Sequence, residues 1–189
     1  VQIREGITWP RLRTDLQREV ARLKVLDGAA PDLDEEAKRY SLQASFSLSL
    51  RRLNDKMREQ FAWLGIIFED SELTARTCAV LWDVNEDEAL EVLNQLRSKA
   101  LILDAVAYHT SSVSERVFRV HDLINNFARS VLSSPKTPES PGAIPGLGLR
   151  LDQAHAQLLY RYRARCGGRL ENVWSALPND AYIHSHLTL

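Results

Sequence analysis

The sequence predicts a mainly α-helical chain built around a winged helix-turn-helix domain with a small β-hairpin wing. Three observations carry that expectation. Apolar residues recur at three- and four-residue spacing along most of the chain. That period is lost between Leu101 and Val120, where two short apolar runs flank a polar turn. The elements also follow the order of a helical core, a hairpin and a closing helix. With 44% hydrophobic and 26% charged side chains, 189 residues can bury a core, which excludes disordered and fibrous classes.

Trp9, Leu12, Leu16, Val20 and Leu23 predict a first helix over 9–26, with Pro10 in its first turn and Gly28 beyond its end. Residues 28–40 lose the period and gain acid, and so read as a connection. Five helices follow in the pattern, over 41–53, 55–68, 74–82, 86–99 and 121–133. Asn85 with Glu88 resembles a capping box for the fourth, which carries acids in its first turn and Arg97 and Lys99 at its end. Leu101, Ile102 and Leu103, then a turn at Thr110 to Ser114, then Val117, Phe118 and Val120 predict the hairpin.

Residues 133–148 hold four of the seven prolines and three of the eight glycines, so 134–150 is expected to be a linker. Helical spacing resumes from Leu149 to Tyr162 and stops at Cys166-Gly167-Gly168, and a further helix is expected from Asn179 or Asp180. Two helices cannot form their own core, so 151–189 reads as the start of a larger helical domain. The chain starts at Val1 without Met, as expected of a piece of a longer protein.

Composition narrows the function. The 24 Lys and Arg against 25 Asp and Glu give no general attraction to nucleic acid or to an anionic membrane. Cys78 and Cys166 are isolated, which suggests neither disulfides nor zinc and makes the cytoplasm the expected compartment. No apolar run reaches the roughly 18 residues of a membrane span. Neither G-x-x-x-x-G-K-[ST] nor G-x-G-x-x-G nor G-x-S-x-G occurs, so this segment is not expected to be an enzyme or to cradle a triphosphate. His184 and His186 are two apart, a spacing that separates them on a helix rather than onto one metal. No catalytic residue and no metal ligand is expected.

A winged helix raises the alternative of a DNA-binding transcription regulator. Its recognition helix would be 86–99, with Glu86, Asp87, Glu88 and Glu91 against Arg97 and Lys99, a balance opposed to phosphate docking. The more informative residues are Phe118-Arg119-Val120-His121-Asp122-Leu123, at the junction of the second hairpin strand and the closing helix. His121 there either aims its imidazole outward at a partner or simply caps and packs, with Asp122 supplying helix-start charge.

The stretches 41–67, 77–103 and 118–129 resemble the winged-helix domain of NB-ARC proteins, the STAND-class nucleotide switches of apoptosis and plant immunity. Val120-His121-Asp122 is similar to that family's M-H-D motif, with one apolar residue replacing another. Residues 151–189 look like the start of the helical domain in the subgroup of apoptotic protease-activating factors. The resemblance implies four parts: 1–40 as the end of the small helical domain, 41–133 as the winged helix, the linker 134–150, and 151–189 as the helical domain.

It further implies that ADP or ATP, with Mg, binds a P-loop domain upstream, that the longer protein is a slow ATPase switch, and that this segment binds no nucleotide alone. His121 would reach the β-phosphate of ADP, and Asp122 would hold the histidine loop in place. Ala100 stands where some relatives carry a Ser, and so lacks the hydroxyl of a second contact. The implied partners are the protein's own nucleotide-binding domain, further copies of itself once active, and an effector that the residues do not specify. Exchange of ADP for ATP would release the winged helix and expose oligomerising surfaces.

Overall fold

The computed structural model describes residues 8–27, 34–69, 71–105, 116–138, 143–166, 177, 180, 182 and 183. It contains, among the described residues, seven α-helices and one three-stranded antiparallel sheet, the mainly α architecture with a small β element that the periodicity predicts. The chain divides into two compact units, 1–58 and 59–189.

In the first unit, α1 (Trp9–Asp27) packs along α2 (Asp34–Leu50). Helix α2 starts inside the stretch expected to be a connection. Acidic residues are favourable in a first helical turn, so an acidic run that reads as a solvated loop serves equally as a helix start. The carboxylate of Glu19 is buried on α1 and pairs at 2.7 Å with Arg51 just past the end of α2. A buried carboxylate without such a partner would be strongly unfavourable. Asn54 then caps α3 (Asp55–Trp63), its Oδ1 accepting the Met57 N–H at 2.8 Å. The division between units falls within α3. Helix α2 lies against α1, so 41–50 go with the first unit.

In the second unit, a 3₁₀ turn (Leu64–Ile66) replaces the last turn of the expected helix 55–68. It leads to β1 (Glu72–Leu73), a strand the sequence pattern does not announce. Helix α4 (Ala75–Trp82) is capped by Thr74, whose Oγ1 accepts the Thr77 N–H at 3.2 Å. Helix α5 (Glu86–Ser98) is capped by Asn85, whose Oδ1 accepts the Glu88 N–H at 2.8 Å, as the Asn85 to Glu88 spacing predicts. Strands β2 (Leu103–Ala105) and β3 (Val117–Arg119) and helix α6 (Asp122–Ser133) complete the order of a winged helix. Strand β3 is central, with β1 and β2 antiparallel on either side. The expected turn at Thr110 to Ser114 lies outside the described residues. Phe61, Leu64, Leu73, Leu81, Leu93, Leu96, Leu101 and Phe118 are fully buried and form the core.

Both turns after α4 and α5 are closed by residues in the left-handed region, Asp83 at φ 54° and Ala100 at φ 57°. After α5 the Ala100 N–H bonds to Arg97 O and the Leu101 N–H to Leu96 O, a Schellman closure whose left-handed position normally holds glycine. An L-residue there costs about 1–2 kcal/mol, against the roughly 0.5–1 kcal/mol by which glycine favours the unfolded chain. Ala100→Gly is therefore expected to raise stability by about 0.5–1 kcal/mol, read as the denaturant midpoint. An unchanged or lower midpoint would refute the strain.

The expected linker 134–150 is, over its described second half, a tied segment. The amides of Gly146, Leu147, Gly148 and Leu149 donate to the carbonyls of Pro135, Val131, Ser134 and Leu132, satisfying the C-terminal end of α6. Proline content suggested a stretch that could not donate, but the four amides that matter are not prolines. Gly146 is required there, since a Cβ would stand 2.2 Å from Ser134 O. Helix α7 (Leu151–Arg165) follows and packs on α4, α6 and the 3₁₀ turn, within the second unit. Arg165 Nη2 donates to Ala79 O at 2.8 Å and Val84 O at 3.0 Å, and Arg161 bonds Leu81 O with its guanidinium 4.2 Å from the Trp63 ring centre. Both arginines bring positive charge to the negative pole of α4.

Candidate functional site

Extended backbone carries the chain from β3 into α6, and burial alternates along it. Phe118 and Val120 are buried; Arg119 and His121 face outward. Alternation follows from the two-residue period of a strand, continued through His121 at φ −70°, ψ 143°. His121 is the N-cap of α6, and its Nδ1 accepts the Leu123 N–H at 3.2 Å. An accepting Nδ1 carries no proton in the neutral ring, so the hydrogen bond assigns the proton to Nε2. Nε2 has no partner among the described residues, and the residue is exposed. One ring nitrogen thus caps α6, and the other faces no described residue.

The junction is held from behind by residues the sequence reading did not single out. Asn125 is buried in α6, and its Nδ2 donates to Leu64 O and Ile67 O, both at 3.0 Å. Arg129 Nε donates to Gly65 O at 3.1 Å, and its Nη2 reaches Asn125 Oδ1 at 3.4 Å. The carbonyl of His121 itself accepts the Ile124 and Asn125 amides. The available signal was Asn125 sitting on the apolar stripe of α6 with Ala128 and Leu132, because a polar residue at a core position needs partners. Val120 packs as expected. Asp122 is exposed in the first turn of α6, with no hydrogen bond or ion pair to another described residue. Asn125 and Val120 face inward and tie the junction to the 3₁₀ turn and the core.

The outward face of the recognition helix α5 is formed by Asp87, Leu90, Glu91, Asn94, Gln95 and Ser98. Arg97 is engaged by Asp104 at 2.6 Å and Arg76 lies 3.8 Å from Glu86. Asp87 and Glu91 give that face its acids, and Arg116 Nη1 donates to Asn94 Oδ1 at 2.7 Å.

A second polar cluster lies in the same unit. Asp180, buried, accepts the Tyr162 hydroxyl and, at 3.0 Å each, the amides of Tyr182 and Ile183. Its carbonyl accepts Thr77 Oγ1 at 3.1 Å. Asp180 therefore sits as an N-cap where the sequence places a helix start, while the course of that helix, with His184 and His186, lies outside the described residues. Burial, aided by the Asp180 charge, pushes the Tyr162 hydroxyl and the Cys78 thiol up, and burial pushes Tyr182 up to about 12. All three stay protonated at neutral pH, so Cys78 is no nucleophile.

No family model and no curated protein matches the sequence. Among the described residues, no helix is long and apolar enough to cross a membrane.

Proposed function

We propose that this chain is the regulatory segment of an NB-ARC-type nucleotide switch, whose winged helix latches an ADP-bound inactive state. The observation that supports the reading is His121, with Nδ1 committed to the α6 cap and Nε2–H directed outward. A rigidly backed imidazole donor suits the β-phosphate of ADP, because a hydrogen bond to a charged acceptor gains about twice a neutral one when the donor is already oriented. Nucleotide, with Mg, is held by a P-loop domain upstream, and this segment closes over it.

In this reading the cytoplasmic protein is a slow ATPase switch in apoptosis- or immunity-like signalling. His121 contributes a contact present with ADP and lost on exchange for ATP, which supplies the differential affinity a two-state switch needs. Release of the winged helix then frees surfaces for homo-oligomerisation and for an effector. The segment itself performs no catalysis.

The test is nucleotide content. The full-length protein, denatured after purification, is expected to yield close to one ADP per chain by ion-pair chromatography, whereas calorimetric titration of residues 1–189 with ADP or ATP is expected to show no binding tighter than millimolar. A full-length protein free of nucleotide, or micromolar binding to this segment alone, would overturn the reading.

A further inference from the structure

The alternation that turns His121 outward does the same for Arg119, two residues earlier on the central strand. Their Cα atoms are about 6.6 Å apart along an extended chain. That is close enough for a long guanidinium side chain and an imidazole to meet on one phosphoryl group. We propose that Arg119 is a second phosphate-binding residue of the latch, acting with His121 on the β-phosphate of ADP; the proposal rests on the reading of His121 given above.

Chemistry and placement both favour it. A guanidinium offers parallel N–H donors in a planar fork that matches a phosphate bidentately, and it keeps its charge at any physiological pH. Imidazole adds a single directed donor. Strand β3 is paired on both sides, so Arg119 stands on the best-supported backbone of the sheet. Its opposite residues in register are Glu72 on β1 and Leu103 on β2.

Leu103 is 50% exposed beside Arg119, and Leu123 is 44% exposed one residue beyond Asp122. Two exposed leucines flanking an Arg and a His form an apolar border. Covered by the nucleotide-binding domain, that border excludes water and strengthens the ionic contacts within it.

The test compares release of mant-ADP and mant-AMP from the full-length protein carrying Arg119→Gln, Arg119→Lys or His121→Ala. Arg119→Gln is expected to speed ADP release roughly tenfold, with Arg119→Lys restoring part of the retention and AMP release unchanged. Arg119→Lys keeps a cation opposite Glu72, so its melting temperature should stay within a degree. If Arg119→Gln leaves ADP release unchanged while His121→Ala speeds it, or loosens AMP as much as ADP, the role assigned to Arg119 is overturned and the latch stands. If neither Arg119→Gln nor His121→Ala changes ADP release, the latch itself is overturned as well.

Discussion

ADP should leave the full-length protein about 10- to 150-fold faster when His121 is replaced by Ala. A hydrogen bond from Nε2 to a charged phosphate is worth roughly 1.5–3 kcal/mol net, and that range converts to this factor. A closed state favoured by only a few kcal/mol would be largely undone, so the variant should also oligomerise or signal without stimulus. Alanine removes the cap on the Leu123 amide too, which blurs latch and stability. His121→Asn separates them. Asparagine is a strong N-cap and keeps the helix start, but its shorter side chain does not extend as far as Nε2. Fast ADP release with a near-parental melting temperature in His121→Asn identifies a latch. Normal ADP retention in both variants, with only Ala lowering the melting temperature, would reduce His121 to a cap.

Gly65→Ala should destabilise the second unit by about 3 kcal/mol, lowering Tm by roughly 6 to 12 °C in a chain of this size. A Cβ at Gly65 would stand 2.4 Å from Arg129 N, 2.5 Å from its Cα and 2.8 Å from the Ala128 carbonyl carbon. These are backbone atoms of α6, and none can rotate away. Either α6 or the 3₁₀ turn must move, and movement breaks the Asn125 bonds to Leu64 O and Ile67 O, each worth about 1 kcal/mol. Because both act through one network, Gly65→Ala and Asn125→Leu together should cost less than their separate effects added. A Tm within a degree of the parent, by calorimetry, would mean that the turn accommodates a methyl group.

The helices with clear apolar stripes were legible in the sequence because their signal is local. Asn85 and Glu88 announce the start of α5, and α6 reads directly from its buried Ile124, Ala128, Val131 and Leu132. Strand β1 was not legible, because two residues hold no period and Glu72 and Leu73 are a strand only by pairing with Arg119 and Phe118. The hydrogen bonds of the segment after α6 were not legible for a related reason. Proline and glycine composition describes what a stretch cannot do alone, whereas Gly146 to Leu149 are ordered by carbonyls belonging to α6. At the site, the position of His121 was readable and its division between two nitrogens was not. Asp122 follows the histidine in the motif, and its exposed first-turn position suits the helix dipole of α6.

The arginines that α7 brings to the end of α4 set a schedule for folding. A ribosome supplies residues in order, and the carbonyls of Ala79, Leu81 and Val84 receive side chains from Arg161 and Arg165, which are made some eighty residues later. At synthesis rates of about 5–20 residues per second, the helix-turn-helix waits several seconds or more with its first helix uncapped by charge. During that interval the surface later covered by Leu158 and Tyr162 is open to chaperones and to other nascent chains. The arrival of α7 thus shortens its period of risk.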